Sequence, residues 1–332
     1  MKCYKYKSKV NIDYKGKKNG ETLNMHQKFF SKIGVNYLIY AIISLVFQII
    51  LINIVGYLNP NILNNFNLFV ILSAFCNYVL PLPIILFLMK KLETRQITAE
   101  RINIATFIKY ICITFTLMWL GNIIGLAITY GLGNIIQSDI SNPVHELINS
   151  SDIWINLILV SVIGPIFEEF IFRKLLIDRT IKYGARVSII LSAAMFAFFH
   201  GNLNQFFYAL FMGGFFAYVY IKTGKLTYTI ILHILVNFMG SVISLIVAQC
   251  ATALTQGTYA PLDLGIILIY FVFLATAMLV GLISLLSYKK SKFMGSKTEI
   301  SLKQPLKTMF LNYGMIAFFG FFILEMIYQI IG

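Results

Sequence analysis

Long apolar runs broken by short polar stretches set the pattern of this chain. A membrane-crossing helix needs roughly 20 mainly apolar residues. Nine stretches reach or approach that length: 34–57, 67–89, 104–132, 153–174, 187–203, 205–221, 226–249, 264–288 and 309–331. The pattern predicts an all-α fold, a polytopic integral membrane helix bundle of about nine transmembrane helices. The third stretch is long enough to tilt, or to break at Gly121 or Gly125. The fifth and sixth are short and are separated only by Gly201-Asn202-Leu203-Asn204.

Composition agrees with the pattern. Of 332 residues, 58% are apolar and 12% charged, where a soluble domain carries about 25% charged residues. Mean hydropathy is +0.79. A soluble enzyme, a disordered regulator and a fibrous protein are excluded. The four cysteines form no CxxC pair and no metal-ligand spacing.

The formal charge of +14 would suggest nucleic acid in a soluble protein, but here it follows topology. All 27 Lys and Arg lie in residues 1–33 or within 90–109, 173–186, 222–225 and 289–307. The intervening connections, 58–66, 133–152, 201–204 and 250–263, hold none. Cations mark the cytoplasmic side. The N-terminus is therefore expected in the cytoplasm and the C-terminus outside, in a multi-pass cell-membrane protein. Abundant Ile, Asn and Lys point to an AT-rich genome and so to a bacterial plasma membrane. The cations suit anionic lipid and not nucleic acid. Residues 1–33 read as a basic cytoplasmic tail without the apolar core of a secretory signal. Residues 34–150, 151–250 and 251–332 read as N-terminal helices, a central functional core and C-terminal helices.

Ionisable residues within a membrane usually serve a function. Only three of the 13 acids fall inside spans: Glu168, Glu169 and Glu325. Glu168 and Glu169 point about 100° apart on a helix, so they have different partners. Glu169 and Arg173 are spaced i,i+4 and read as an ion pair clamping a helix end. Glu168 has no local cation, and a carboxylate in a poorly solvated site suits a general base for water. Pro165 removes a backbone donor and is expected to kink the span and open a polar cavity. Glu325 reads as a polar contact to another helix.

His26 and His145 are expected in solvent. His200 and His233 lie inside spans, and Asn237 shares a helix face with His233. Two chemistries fit this set. Glu168 with His200 would deprotonate a water while His233 and Asn237 donate to an oxyanion, with no cofactor required. Alternatively Glu168, His200 and His233 would ligate zinc and leave one position open. Counting from the flanking cations, Glu168 lies about 8 Å deep, His233 about 12 Å and His200 about 21 Å. His200 is thus deeper than its partners, and the site is expected to open toward the cytoplasm.

Glu168-Glu169-x-x-x-Arg173, then Phe196-x-x-x-His200, then His233-x-x-x-Asn237, in this order on successive spans, resembles the CPBP intramembrane proteases. These are the CAAX proteases and bacteriocin-processing or bacteriocin-immunity proteins, also called the Abi family. The resemblance covers about 153–250. It implies a helical membrane fold with a conical cavity opening to the cytosol. By the same resemblance Glu168 and His200 activate water, His233 and Asn237 form the oxyanion hole, and Glu169 and Arg173 support them. A glutamate-dependent mechanism in the family speaks against zinc. The implied function is an intramembrane endopeptidase acting on a membrane-associated or lipidated peptide or protein. The alternative is a non-proteolytic membrane immunity or regulatory scaffold with the same fold. A transporter or acyltransferase is a third reading.

Overall fold

Helical spacing begins upstream of the first long apolar run. His26, Phe30, Ile33, Tyr37, Tyr40 and Ser44 recur every three or four residues, and all are buried. In the computed structural model they share one face of α1 (Asn19–Leu58). The structure describes residues 19–59, 62, 64–138, 140–287 and 300–331, with side chains from Met25 onward. Part of the expected tail, 19–33, is thus helix continuous with the first span, and residues 1–18 lie outside the described residues. His26 is not in solvent: its Nδ1 lies 3.2 Å from the Tyr183 hydroxyl. Lys28 and Lys32 face outward on the same turns. Average hydropathy merges the two faces and so starts the helix too late.

Ten further helices follow. They are α2 (Phe66–Lys90), α3 (Ile104–Ile136), α4 (Pro143–Ser150), α5 (Ile153–Tyr183), α6 (Ala185–Phe199), α7 (Leu203–Thr223), α8 (Leu226–Thr255), α9 (Pro261–Leu286), α10 (Pro305–Phe310) and α11 (Tyr313–Ile331). Among the described residues there is no strand. Eight helices are long and apolar enough to cross a membrane. The expected fifth span is α6, whose 15 residues make only about 22 Å of helix against a hydrocarbon core of about 30 Å.

The third span does not break. α3 runs unbroken through Gly121 and Gly125. A Cβ on Gly121 would overlap the Tyr208 backbone, so the glycine admits α7 rather than bending α3. α3 also packs on α9, while α1 packs on α2 and α11. α5 touches α8 through residues 156–175, and α6 pairs with α7.

Bonds between connections define the two ends of the bundle. At one end, the Arg95 N–H donates to the Asp178 carbonyl at 2.6 Å and the Glu100 N–H to that of Thr223 at 2.7 Å. There too the Ile300 N–H donates to the Lys182 carbonyl at 2.8 Å. This end holds the cation-bearing segments. At the other end, Asn67 bonds Asp152, and Asn204 Nδ2 donates to the Ser141 carbonyl at 3.1 Å. The connections there carry no Lys or Arg.

Candidate active site

α5 is locally overwide where the chemistry lies. Asn156–Ile163 and Phe170–Leu175 are π-helical, with α-helical Gly164–Glu169 between them. Phe75–Val79 of α2 and Met239–Ile243 of α8 are π-helical as well. Asn156–Ile163 and Phe75–Val79 contribute residues that line one cavity, and the other two stretches begin two residues beyond lining residues Glu168 and Asn237, as such turns often do at functional sites. In the first of these stretches the Gly164 N–H reaches back to the Leu159 carbonyl. The next donor in that register would meet Val160, but residue 165 is proline and has no N–H. The Val160 carbonyl instead accepts from Asn237 Nδ2 at 2.9 Å. Pro165 thereby frees the acceptor that holds Asn237 in place.

Glu169 and Arg173 are both fully buried. Arg173 Nε and Nη2 donate to the two Glu169 oxygens at 3.0 and 3.2 Å, and Nη1 donates to Ser192 Oγ at 2.9 Å. The guanidinium carbon lies 4.6 Å from the centre of the Phe196 ring. The pair forms as its spacing predicts, but not at a helix end. α5 continues to Tyr183, which places Arg173 inside the core rather than in a connection.

Glu169 Oε1 also receives His233 Nδ1 at 3.1 Å. A carboxylate only accepts, so Nδ1 carries the proton in this bond. The ring is thereby turned so that Nε2 lies 3.7 Å from Glu168 Oε2. Phe196 and Phe216 enclose it, with ring centres 5.8 and 5.5 Å away. Glu168 faces the cavity with its side chain 18% exposed. Its Oε1 accepts from the Tyr78 hydroxyl at 2.8 Å. His200 Nδ1 lies 2.8 Å from the Phe196 carbonyl. That bond puts the ring proton on Nδ1 and leaves Nε2 as an acceptor.

Glu168, His200, His233 and Asn237 therefore line one cavity of about 530 Å³. Glu168 and His200 meet across it without a direct hydrogen bond. The expected depth mismatch disappears because α5 runs on to Tyr183. Glu168 and His200 are then each 15 residues from the α5–α6 turn, about 22 Å along either helix. Among the described residues no three His, Cys, Asp or Glu side chains converge as a metal-ligand set. The zinc alternative of Glu168, His200 and His233 does not fit this geometry.

Two residues, Tyr78 and Ser192, escaped the sequence reading, and a third, Glu325, was singled out without a place in the site. Tyr78 bonds Glu168, Ser192 bonds Arg173, and Glu325 lines the cavity. The Glu325 carboxylate sits where a Cβ on Gly201 would lie, beside His200, and Gly201 has a φ of +64°. Glu325 was expected to touch another helix, and does so at the α6–α7 turn. Its isolation in an apolar span was a usable signal; nothing in the sequence separates Tyr78 or Ser192 from other Tyr and Ser in spans.

The cavity does not run toward the cation-bearing end. It is lined by α1 residues 41–48, α2 residues 69–78, α5 residues 159–168 and the last turn of α6. The first three turns of α7, His233 and Asn237 of α8, α11 residues 321–325, and Val144 and Leu147 of α4 complete it. All of these lie level with the Glu169–Arg173 pair, as Phe196 does, or on its cation-free side. On the other side Phe172, Leu176, Ile177 and Thr180 of α5 are fully buried. The expected opening toward the cation-rich face is not found, because the extended α5 and its contacts fill that end.

Residues 150–239 match the family described as "Rce1-like", type II CAAX prenyl endopeptidase Rce1-like. A curated relative from Bacillus subtilis (strain 168), described as "Putative membrane peptidase YdiL", is 28% identical over 109 residues. The match covers 32% of this chain and 43% of the relative, so the chain spans less than half the length of that relative. No solved structure matches the chain. Glu168, Glu169, Arg173, His200, His233 and Asn237 all fall inside the matched stretch, whereas Tyr78 and Glu325 lie outside it. The stretch similar to the Rce1-like family is thus residues 150–239, set in a larger helical membrane protein.

Proposed function

We propose that this chain is an intramembrane endopeptidase that cleaves a membrane-associated or lipidated peptide or protein. One observation carries the reading. Of two adjacent carboxylates, Glu169 is enclosed by Arg173 and His233 while Glu168 alone faces the cavity. Glu168 takes a proton from a water that His200 Nε2 holds as acceptor, and the resulting hydroxide attacks the peptide carbonyl. The second N–H of Asn237 and a protonated His233 Nε2 donate to the oxyanion. The C–N bond then breaks, and Glu168 returns its proton to the leaving amine. Tyr78 orients Glu168, and the Glu169–Arg173 pair orients His233. No step requires a cofactor. The cation-rich end faces the cytoplasm and anionic lipid, with the N-terminus inside and the C-terminus outside a cell membrane.

The test compares peptides from cells carrying the native protein or Glu168→Gln at matched membrane abundance. A peptide or new protein terminus made only by the native protein is expected. If Glu168→Gln yields the same peptides, the enzyme reading is wrong and the non-proteolytic scaffold takes its place.

A further inference from the structure

The catalytic cavity and the cations lie at opposite ends of the bundle. No Lys or Arg lines the cavity, and its charged side chains are Glu168 and Glu325. Its lining residues lie level with the Glu169–Arg173 pair, which His233 and Phe196 touch, or on the cation-free side of it. The wall at that end is amphipathic α4, which turns Val144 and Leu147 inward and leaves His145 and Glu146 exposed. Polar side chains mark the way in: Gln48 and Ser73 on α1 and α2, Gln205 on α7 and exposed Glu325 on α11. Below the site, fully buried Phe172, Leu176 and Ile177 block the path to the cation-bearing connections.

We propose that the cavity is entered from the cation-free face, which the distribution of Lys and Arg makes extracytoplasmic. The enzyme then acts on a chain presented at the outer surface or outer leaflet, and Glu325 at the mouth excludes an anionic segment. A protein cleaved on the cytoplasmic side of the membrane is not its substrate. That substrate class rests on the peptidase reading above; the direction of access does not.

The test uses thiol labelling of the full chain, with its four native cysteines replaced, in bacterial spheroplasts and in inverted vesicles. Single cysteines are placed at Gln48, Ser73 and Val144 along the cavity, in separate variants, and at Lys174 as the marker of the other end. The probe is a charged, membrane-impermeant maleimide. The cavity positions are expected to label in spheroplasts, and Lys174→Cys only in inverted vesicles. Using three positions guards against the loss of any one variant to misfolding. Labelling of the cavity positions only in inverted vesicles overturns the proposal. Labelling from neither side while Lys174→Cys reacts, or labelling of Lys174→Cys in spheroplasts, does so too. None of these readouts involves cleavage, so failure here leaves the peptidase test untouched, and the reverse holds.

Discussion

Replacing Arg173 by methionine removes the cation from a fully enclosed ion pair. The side chain gives two N–H groups to Glu169 and one to Ser192, and none of it reaches solvent. In Arg173→Met the Glu169 carboxylate keeps the His233 Nδ1–H and the Thr229 side chain but loses its cation, and it cannot relax toward water. Breaking a buried pair from one side costs about 3–5 kcal/mol. Glu169→Gln in the same chain neutralises the stranded charge while its amide oxygen still accepts from His233. The double variant is therefore expected to regain most of the loss, ending within about 1–2 kcal/mol of the parent, since neutralised pairs cost little. Unfolding of the purified protein in mild detergent, followed by circular dichroism against denaturant, measures all four corners of the cycle. An Arg173→Met loss below about 1 kcal/mol, typical of exposed pairs, would refute the reasoning. So would a double variant as unstable as the sum of the singles.

Tyr78→Phe removes a hydroxyl that bonds Glu168; bonds to charged groups contribute about 1.5–3 kcal/mol. Cleavage should fall about 10- to 100-fold at unchanged membrane abundance, and an unaltered rate would remove Tyr78 from the site. Asn237→Leu strands the Val160 carbonyl at a cost of about 1–3 kcal/mol. Adding Pro165→Ala supplies the missing N–H and should restore stability in the same unfolding assay without restoring cleavage. Equal instability of the single and double variants would show that the carbonyl is not what Asn237 satisfies. Gly201→Ala forces a side chain into a left-handed turn, at about 1–2 kcal/mol, and into the Glu325 carboxylate. Glu325→Ala should relieve only the second part, leaving Gly201→Ala/Glu325→Ala between Gly201→Ala and the parent in stability.

Local spacing and composition made much of this protein legible. Apolar runs located the eight membrane-length helices and the shorter α6, because the hydrocarbon core demands long unbroken stretches, and they missed the short α4 and α10. The Glu169–Arg173 pair was readable because i,i+4 neighbours meet on any helix, whatever surrounds it. The Glu168, His200, His233 and Asn237 motifs name four side chains that line one cavity. Contacts between helices were not legible, because each helix's rotation and depth are set by its partners and no sequence period records them. Thus His26 left solvent for Tyr183, Tyr78 met Glu168, and Asn237 found the carbonyl that Pro165 had freed. The direction of the cavity was decided in the same way. Packing continued α5 to Tyr183 and closed the cation-bearing end, which left the site open toward the face without cations.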